Sequence, residues 1–506
     1  MIYWLVGIIL VITTLLLLLE IKSRRNYSRN LYIDPDTNET KVIPYRDPLR
    51  NQLVGIHRMF TGKLRGKESL KLTRRDVSRD LNGSTKHRLL QNSFLNFHFI
   101  LIWDADVART VMFAKDTELG KPNFGGAQER LVGDSILLST GEVWKTHKTA
   151  LSPAFKWDHI RELMPCFVDI VSELSEHLSK VGKEVEIYPW IQNATLDAIG
   201  RGGFGYEFGA MRGDENKSQE IKDYEALMKE LENPVHFFGK LSKLTGRSKI
   251  MANLFNKFED FMANLIQKKR ESVANMEEDW KPKDILDFLV YSKDGEQLSD
   301  KEILRNMNTF FVAGHETTAG ALSNAIHLLA ENPECQRKAR EEVLSVCGTN
   351  NPTYDDIQKM EYVHNCIKET LRKCPPAVGV IRSVERDQQV GNLYLTKGAL
   401  AFVQVYLIHH DPAYWGEDVD SFKPDRFDAE HSKSRHRYAW MPFSIGPRQC
   451  IGNNFAMLEM RSFLAVLLQK FEFLPNPNSK EAFGEFVGIV MRPPPNCSLL
   501  LKPLQQ

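Results

Sequence analysis

The sequence predicts a mainly α-helical protein with small β-sheets, an α+β fold class, and three observations lead to this expectation. An unbroken helical pattern runs from Ser299 to Asn332, which is longer than most folds require. A second apolar pattern, over Asn453–Lys470, is typical of a buried helix. Strand-like runs are short, and they lie around 91–103 and 389–406.

The long helical pattern has clear ends. Ser299 and Glu302 have the spacing of a capping box, and Pro333 cannot continue the pattern beyond Asn332. At 1.5 Å per residue, such a helix is on the order of 50 Å long. We therefore expect it to cross a whole domain.

Length and composition limit the class of protein. The chain has 506 residues and a formal net charge of +1, so nothing in its composition indicates nucleic-acid binding. We find no second linker after about residue 50 and expect one large domain over 51–506. The cysteines number seven, scattered along the chain, which argues against a disulfide framework and favours a reducing compartment.

The N-terminus predicts a membrane anchor. Residues 2–19 are apolar or threonine, long enough to span a bilayer, and Lys22, Arg24 and Arg25 follow. By the positive-inside tendency the rest of the chain faces the cytosol. We expect a transmembrane anchor over 1–21 and a basic linker over 22–50. A cleaved signal peptide fits less well, because no basic region precedes the apolar run.

The segment from Phe443 to Gly452 predicts a site built around one cysteine. Gly446 permits a tight turn of positive φ, and Gly452 lets the backbone approach a flat partner closely. Cys450 falls at the N-terminus of the second helical pattern, where the helix dipole favours a thiolate. Arg448 offers a cation suited to a carboxylate or propionate. A thiolate held in this way is a haem axial ligand, whereas the other six cysteines are expected to be buried hydrophobes.

The middle of the long helical pattern predicts a place for oxygen chemistry. Ala313 and Thr317 are one turn apart, and with Gly314 they leave a notch where Gly314 favours a local distortion. Thr317 could donate a hydrogen bond to a reduced oxygen species in that notch, and Glu316 could relay protons from solvent. Taken alone, a patch of small residues where another helix crosses is about as good an interpretation. We read His315 as a packing or solvated residue.

These segments resemble the cytochrome P-450 family. The loop matches the haem-binding signature F-x-x-G-x-R-x-C-x-G at every fixed position, and the long helix matches A/G-G-x-D/E-T-T/S. Glu369 and Arg372 match E-x-x-R, and the segment 422–427 matches the partner of that motif, which supplies Arg426. The resemblance runs from about residue 90 to the C-terminus, with four motifs in the family's order.

The resemblance implies haem b (iron protoporphyrin IX) and the cations that hold its propionates. Arg448 is one candidate, and Arg382 fits the family's arginine on the strand after the proline pair. Trp144 and Lys148 resemble W-x-x-x-R, with a lysine where arginine is commoner, and His147 could substitute for that lysine. It also implies a buried network of Glu369, Arg372 and Arg426 with a structural role.

The family also implies an activity, a substrate class and partners. We expect a haem-thiolate monooxygenase of the microsomal class, a fungal member, in the endoplasmic reticulum membrane with one span and its catalytic domain in the cytosol. The expected substrate is lipophilic, such as a steroid, fatty acid or xenobiotic. The expected substrate contacts are mostly apolar and would look identical as plain core: Phe124, Leu131, Phe310, Val378, Val380, Val487 and Ile489.

Electrons must come from another protein, because the chain has no G-x-G-x-x-G dinucleotide site in a βαβ context. The expected partners are NADPH-cytochrome P-450 reductase and cytochrome b5. A basic surface of Lys145, Lys148, Lys156 and Arg437 would attract an acidic flavoprotein, although ordinary solvated lysines explain these residues equally well. The stretch 233–240, with Phe237 and Phe238, could dip into membrane lipid.

Two other functions remain open at this point. One is a haem-thiolate isomerase or peroxide-rearranging enzyme, against which the intact Glu316-Thr317 pair argues. The other is a non-catalytic haem-binding sensor or carrier.

Overall fold

The computed structural model describes residues 30–33, 40–43, 88–94, 97–122, 125–212, 217–231, 233–237, 239–274, 280–291, 298–479, 485–487 and 490–504. The chain divides into two compact units. The first unit comprises residues within 1–122, 377–418 and 436–449, and the second comprises residues within 123–376, 419–435 and 450–506.

The first unit contains two sheets. The five-stranded sheet has the order Leu89–Phe94, Phe97–Ile102, Ala399–Val403, Val380–Val384 and Leu119–Gly120. Its strands are antiparallel except for Ala399–Val403, which runs parallel to Phe97–Ile102. The four-stranded sheet has the order Thr40–Val42, Leu31–Ile33, Leu393–Leu395 and Gln388–Val390. Within the described residues, the helices of this unit are Ala105–Phe113, Val405–His409 and Pro412–Trp415.

Alternating apolar residues explain the core of the first unit. Ile100 and Ile102 on one strand, and Ala401 and Val403 on its parallel neighbour, are fully buried. They pack with Val111 of the helix Ala105–Phe113 in one apolar cluster. Residues two apart on a strand share a face, so this periodicity covers one face of the sheet with the helix.

The second unit is mainly helical. Its helices are Gly126–Val132, Gly141–Leu151, Trp157–Ile160, Met164–Lys180, Ile187–Ala198, Gln219–Leu231, Gly239–Leu244, Arg247–Ala274, Ile285–Val290, Asp300–Glu331, Pro333–Cys347, Tyr354–Lys359, Glu361–Lys373, Ala429–Ser434 and Asn453–Lys470. Strands Phe471–Pro475, Leu499–Pro503 and Glu184–Val185 form one small sheet, and Glu485–Val487 pairs with Val490–Arg492. The predicted fold class, helices with small sheets, is confirmed.

The helix Asp300–Glu331, hereafter the long helix, confirms its predicted bounds. The Ser299 hydroxyl accepts the backbone N–H of Glu302, and the Glu302 side chain accepts the N–H of Ser299, which completes the capping box. The helix is buried along most of its 32 residues. Burial of this length against neighbouring helices, rather than helix propensity, holds it in place.

The predicted anchor over 1–21 lies outside the described residues, and no helix within the described ranges is long and apolar enough to cross a membrane. Most of the predicted linker over 22–50 also lies outside them. Two of its segments, Leu31–Ile33 and Thr40–Val42, pair as strands of the four-stranded sheet. The single catalytic domain over 51–506 stays a prediction.

The predicted network of Glu369, Arg372 and Arg426 is present in the second unit. Arg372 donates from Nε and Nη2 to the two oxygens of Glu369, at 2.7 and 2.8 Å, and both side chains are fully buried. The Nε of Arg426 lies 3.5 Å from Glu369 Oε1, and the backbone N–H of Lys423 donates to the same oxygen. The network therefore ties the helix Glu361–Lys373 to the segment around Lys423.

Replacing Glu369 with alanine tests this network. The change leaves the Arg372 guanidinium buried without its carboxylate, so we expect a loss of about 3–5 kcal/mol in the free energy of unfolding. The measurement is urea-induced unfolding of the purified protein followed by tryptophan fluorescence.

Glu472→Ala is the matched control. It removes an ion pair with Lys502, whose side chain is 64% exposed, and should cost less than about 1 kcal/mol. Equal losses in the two variants would contradict the structural role of the buried pair.

Candidate functional site

The loop that precedes Cys450 depends on two residues of positive φ. Gly446 has a φ of 80° and Ser444 a φ of 63°. A Cβ atom at Gly446 would lie 2.8 Å from the carbonyl oxygen of Met112, so only glycine fits there. The backbone N–H of Met441 donates to His409 Nε2 at 2.9 Å and fixes the start of the loop. The predicted turn at Gly446 is thus confirmed, and Phe443 lies half-buried in it.

Cys450 follows this loop and belongs to the second unit. The helix that it precedes, Asn453–Lys470, has the predicted bounds, with Gly452 at its N-cap. Cys450 has exposed surface, and a Cβ on Gly452 would have Cys450 Sγ at 3.9 Å and Phe155 at 4.0 Å as its nearest atoms. A side chain at Gly452 would therefore meet no described atom closer than 3.9 Å.

The expected thiolate at Cys450 stays a prediction, and burial acts against it in the protein alone. Although Cys450 has exposed surface, its sulfur lies deep among protein atoms, and this burial raises the pKa of the thiol. The backbone N–H of Gly452 opposes the rise but does not reverse it.

Positive side chains gather in the first unit. Arg448 forms an ion pair with Asp116, and burial together with the charge of Arg448 lowers the pKa of Arg382 to about 10. Arg382 is 2% exposed, and its Nη2 has no hydrogen-bond partner among the described residues. Burial and the charges of Arg382 and Arg448 also lower the pKa of Lys121. We call Lys121, Arg382 and Arg448 the cation cluster.

The sequence reasoning identified Arg382 and Arg448 but missed Lys121. Lys121 follows the short edge strand Leu119–Gly120, which pairs with the strand of Arg382. That pairing joins positions more than 250 residues apart. The one local signal was a lysine directly after an apolar pair and before a proline.

Trp144 and Lys148 lie on the helix Gly141–Leu151 of the second unit. The ammonium of the exposed Lys148 lies 4.8 Å from the centre of the Trp144 ring, a cation–π contact. His147 is fully buried, with its Nε2 3.3 Å from Glu302 Oε1 and its Nδ1 3.4 Å from Asn306 Nδ2. The suggestion that His147 could replace Lys148 was wrong, because it packs against the start of the long helix instead.

The small residues of the long helix have a packing role. The helix continues as a regular α-helix past Gly314, so the expected distortion is absent there. A Cβ on Gly314 would lie 3.2 Å from Ile199, which explains the glycine as a close approach. Ala313 is exposed and Thr317 is half-buried, so their shared face still has open surface.

Glu316 and Thr317 do not bond to each other. The Thr317 hydroxyl donates to the carbonyl oxygen of Ala313 at 2.8 Å, whereas the Glu316 carboxylate accepts hydrogen bonds from Tyr188 and Gln192. Burial would raise the pKa of Glu316, but His315, Arg492 and the Tyr188 hydroxyl together lower it to about 2. Glu316 and Thr317 therefore have separate hydrogen-bond partners in this arrangement.

The expected substrate residues are placed only in part. In the second unit Leu131 and Phe310 are buried, and the rings of Phe310 and Phe155 are 5.4 Å apart. In the first unit Val378 is buried and Val380 half-buried. The side chains of the other expected contacts, and of the two expected membrane phenylalanines, lie outside the described residues: Phe124, Val487, Ile489, Phe237 and Phe238.

Comparisons with known proteins identify the family. The family model described as Cytochrome P-450 matches residues 90–500. A cytokinin hydroxylase of Arabidopsis thaliana is 32% identical over 396 residues, covering 76% of this chain and 74% of that protein. An 11-oxo-beta-amyrin 30-oxidase of Glycyrrhiza uralensis is 30% identical over 414 residues, covering 78% of this chain and 77% of that protein.

Relatives also occur in animals, and the fold is shared with solved structures. Cytochrome P-450 4V2 of Mus musculus is 31% identical over 388 residues, which is 72% of each chain. The crystal structure of the cytochrome P450DA heme domain matches with a TM-score of 0.77 at 21% identity, covering 92% of this chain and 97% of that one. The chain belongs to the cytochrome P-450 family, a family of oxidoreductases that bind haem through a cysteine thiolate.

Gly446→Ala tests the backbone of the cysteine loop. The variant must accept a positive φ and also displace Met112, so it should lose more stability than a positive φ alone costs, about 1–2 kcal/mol. Gly398→Ala is the control, because Gly398 has a φ of 84° but nothing within 4 Å of the added Cβ. Urea unfolding measures both variants, and an equal loss would show that the contact with Met112 is unimportant.

Proposed function

We propose that this protein is a haem-thiolate monooxygenase with haem b as its cofactor and Cys450 as the iron ligand. The observation that carries the proposal is the loop ending at Cys450. Its backbone is fixed by Gly446 and by the bond to His409, and Cys450 has exposed surface beside Gly452. A cysteine presented in this way suits a flat, metal-containing partner.

The residues present fit haem in two respects. Cys450 offers a sulfur that could hold the iron, since a coordinating thiol loses its proton. The cation cluster opposes three positive charges with one described acid, Asp116, and leaves Arg382 Nη2 without a partner. We assign the propionates to Arg448, Arg382 and Lys121, with Trp144 and Lys148 in the family's further positions.

When bound, haem with a thiolate ligand supplies the chemistry that splits dioxygen, placing one atom in a C–H or C=C bond and releasing the other as water. The chain contributes the open face of Ala313 and Thr317, where the Thr317 hydroxyl can turn from the Ala313 carbonyl to a reacting oxygen. Glu316 supplies a carboxylate one residue away, through which protons reach that face.

The substrate class and the partners are part of the same proposal. Buried Leu131 and Phe310 in the second unit suit a lipophilic molecule such as a steroid, fatty acid or xenobiotic. The plant relatives that act as hydroxylase and oxidase support insertion of oxygen. The apolar residues 2–19 support a microsomal protein in the endoplasmic reticulum membrane, supplied by NADPH-cytochrome P-450 reductase and assisted by cytochrome b5. The relatives named above are plant and mammalian, so they add nothing to the idea of a fungal source.

Cys450→Ser tests the proposed ligand. The reduced wild-type protein treated with carbon monoxide should show the red-shifted absorbance of a thiolate-ligated haem, and the serine variant should lose it together with NADPH-dependent turnover. Cys335→Ser, at a half-buried cysteine on the helix Pro333–Cys347, should keep both. A Cys450→Ser protein that retained the red-shifted band would contradict the assignment.

NADPH dependence separates the monooxygenase from its rivals. An isomerase would turn over without reductase, and a sensor would bind haem without turnover in its presence. Product that requires both NADPH and reductase would support the proposal.

Lys121→Met tests the cation cluster. Removing one of three neighbouring cations relieves repulsion, so the haem-free protein should unfold at a higher temperature. The same change should speed the loss of haem from the holoenzyme to apomyoglobin, because a propionate would lose a partner. Lys397→Met, at an exposed lysine of the first unit, should change neither quantity. A lower unfolding temperature for the haem-free Lys121→Met protein than for the haem-free wild type would contradict the assigned cation cluster.

A further inference from the structure

The carboxylate of Glu316 is held by two residues of one neighbouring helix, Ile187–Ala198. The Tyr188 hydroxyl donates to Glu316 Oε2 at 2.9 Å, and Gln192 Nε2 donates to Glu316 Oε1 at 2.8 Å. Tyr188 and Gln192 are four residues apart and therefore lie on one face of their helix. Each carboxylate oxygen thus has its own donor, and both donors come from outside the long helix.

The neighbouring histidine also faces this carboxylate, since His315 Nε2 lies 3.6 Å from Glu316 Oε1. His315 Nδ1 lies 2.6 Å from the carbonyl oxygen of Phe311, which can only accept, so Nδ1 carries a hydrogen. His315 Nε2 also lies 3.3 Å from the Tyr224 hydroxyl, and His315 is only 1% exposed, so it is poorly placed to take a proton from solvent. The Tyr224 hydroxyl therefore serves His315, whereas the Tyr188 hydroxyl serves Glu316.

Tyr188 and Gln192 are more exposed to solvent than the Glu316 carboxylate that they contact. Glu316 is 9% exposed, whereas Tyr188 and Gln192 are half-buried, so these two residues connect the carboxylate to the protein surface. The guanidinium of Arg492 lies 5.6 Å from the centre of the Tyr188 ring, and its charge favours an ionised Glu316. Of the two donors, only the tyrosine hydroxyl can both accept and donate a proton, because an amide N–H gives up no proton at neutral pH.

We infer that Tyr188 passes protons from solvent to Glu316, while Gln192 holds the carboxylate in position. The inference rests on the proposed monooxygenase function and adds the source of its protons. In each transfer the Tyr188 oxygen takes a proton from water as its own hydrogen moves to Glu316 Oε2. Burial and the Glu316 charge raise the pKa of Tyr188, so a free phenolate is unfavourable and the two movements must be concerted. Tyr188 is thus a positioning and relay residue that acts through Glu316.

The test compares Tyr188→Phe with Tyr224→Phe in the full-length holoenzyme reconstituted with a cytochrome P-450 reductase. Both variants remove one buried tyrosine hydroxyl from the same cluster, but only the first contacts Glu316. NADPH consumption is measured in H2O and in D2O. Tyr188→Phe should slow it by about tenfold, below the full effect of a general acid because water can partly replace the hydroxyl. It should also raise the solvent isotope effect, whereas Tyr224→Phe should change neither.

A double-mutant comparison separates a relay from a loss of packing. In a Glu316→Gln background, Tyr188→Phe should cause no further slowing if the tyrosine acts only through the carboxylate. An additional loss in that background, or a Tyr188→Phe protein that behaves like Tyr224→Phe, would overturn the relay. The wild-type carbon monoxide spectrum and NADPH consumption test the proposed function itself, and the ratio of variant to wild type tests Tyr188.

Discussion

Excess positive charge in the first unit is the constraint from which the rest of the account follows. Burial lowers the pKa of Lys121, Arg382 and Arg448. The charge of Arg448 lowers that of Arg382 further, the charges of both arginines lower that of Lys121, and Asp116 is the described acid that opposes these effects. A buried charge without a partner costs several kcal/mol, and Arg382 Nη2 has no hydrogen-bond partner among the described residues, so under the proposed function this cluster would hold an anion. The proposed haem, with its two propionate carboxylates, would be that anion. Cys450, the proposed iron ligand, follows Arg448 by two residues in the chain.

The long helix has both a structural and a chemical role. Its buried residues hold the second unit together, and Ile199 packs closely against Gly314. The same turn of helix leaves Ala313 and Thr317 with open surface and directs Glu316 toward Tyr188 and Gln192. Packing on one side of the helix thus fixes which side is available for chemistry. The same packing separates the Glu316 carboxylate from the Thr317 hydroxyl. Under the proposed function, protons would therefore move between two faces of one helix.

The sequence predicted the features that depend on neighbouring residues. The ends of the long helix follow from Ser299, Glu302 and Pro333, and the positive φ of Gly446 follows from a tight turn before Cys450. Features that depend on distant partners were missed or misread. Lys121 joins Arg382 through pairing between strands, and His147 is buried against Glu302 of the long helix. The partners of Glu316 come from a helix more than 120 residues earlier, a contact that periodicity cannot indicate.

The central claim is that the sulfur of Cys450 is bonded to a haem iron. X-ray absorption at the iron edge of the purified ferric holoenzyme tests this claim most directly, because it identifies the atoms bound to the metal. We predict one sulfur neighbour in addition to the porphyrin nitrogens. A first shell of nitrogen and oxygen alone would contradict the account.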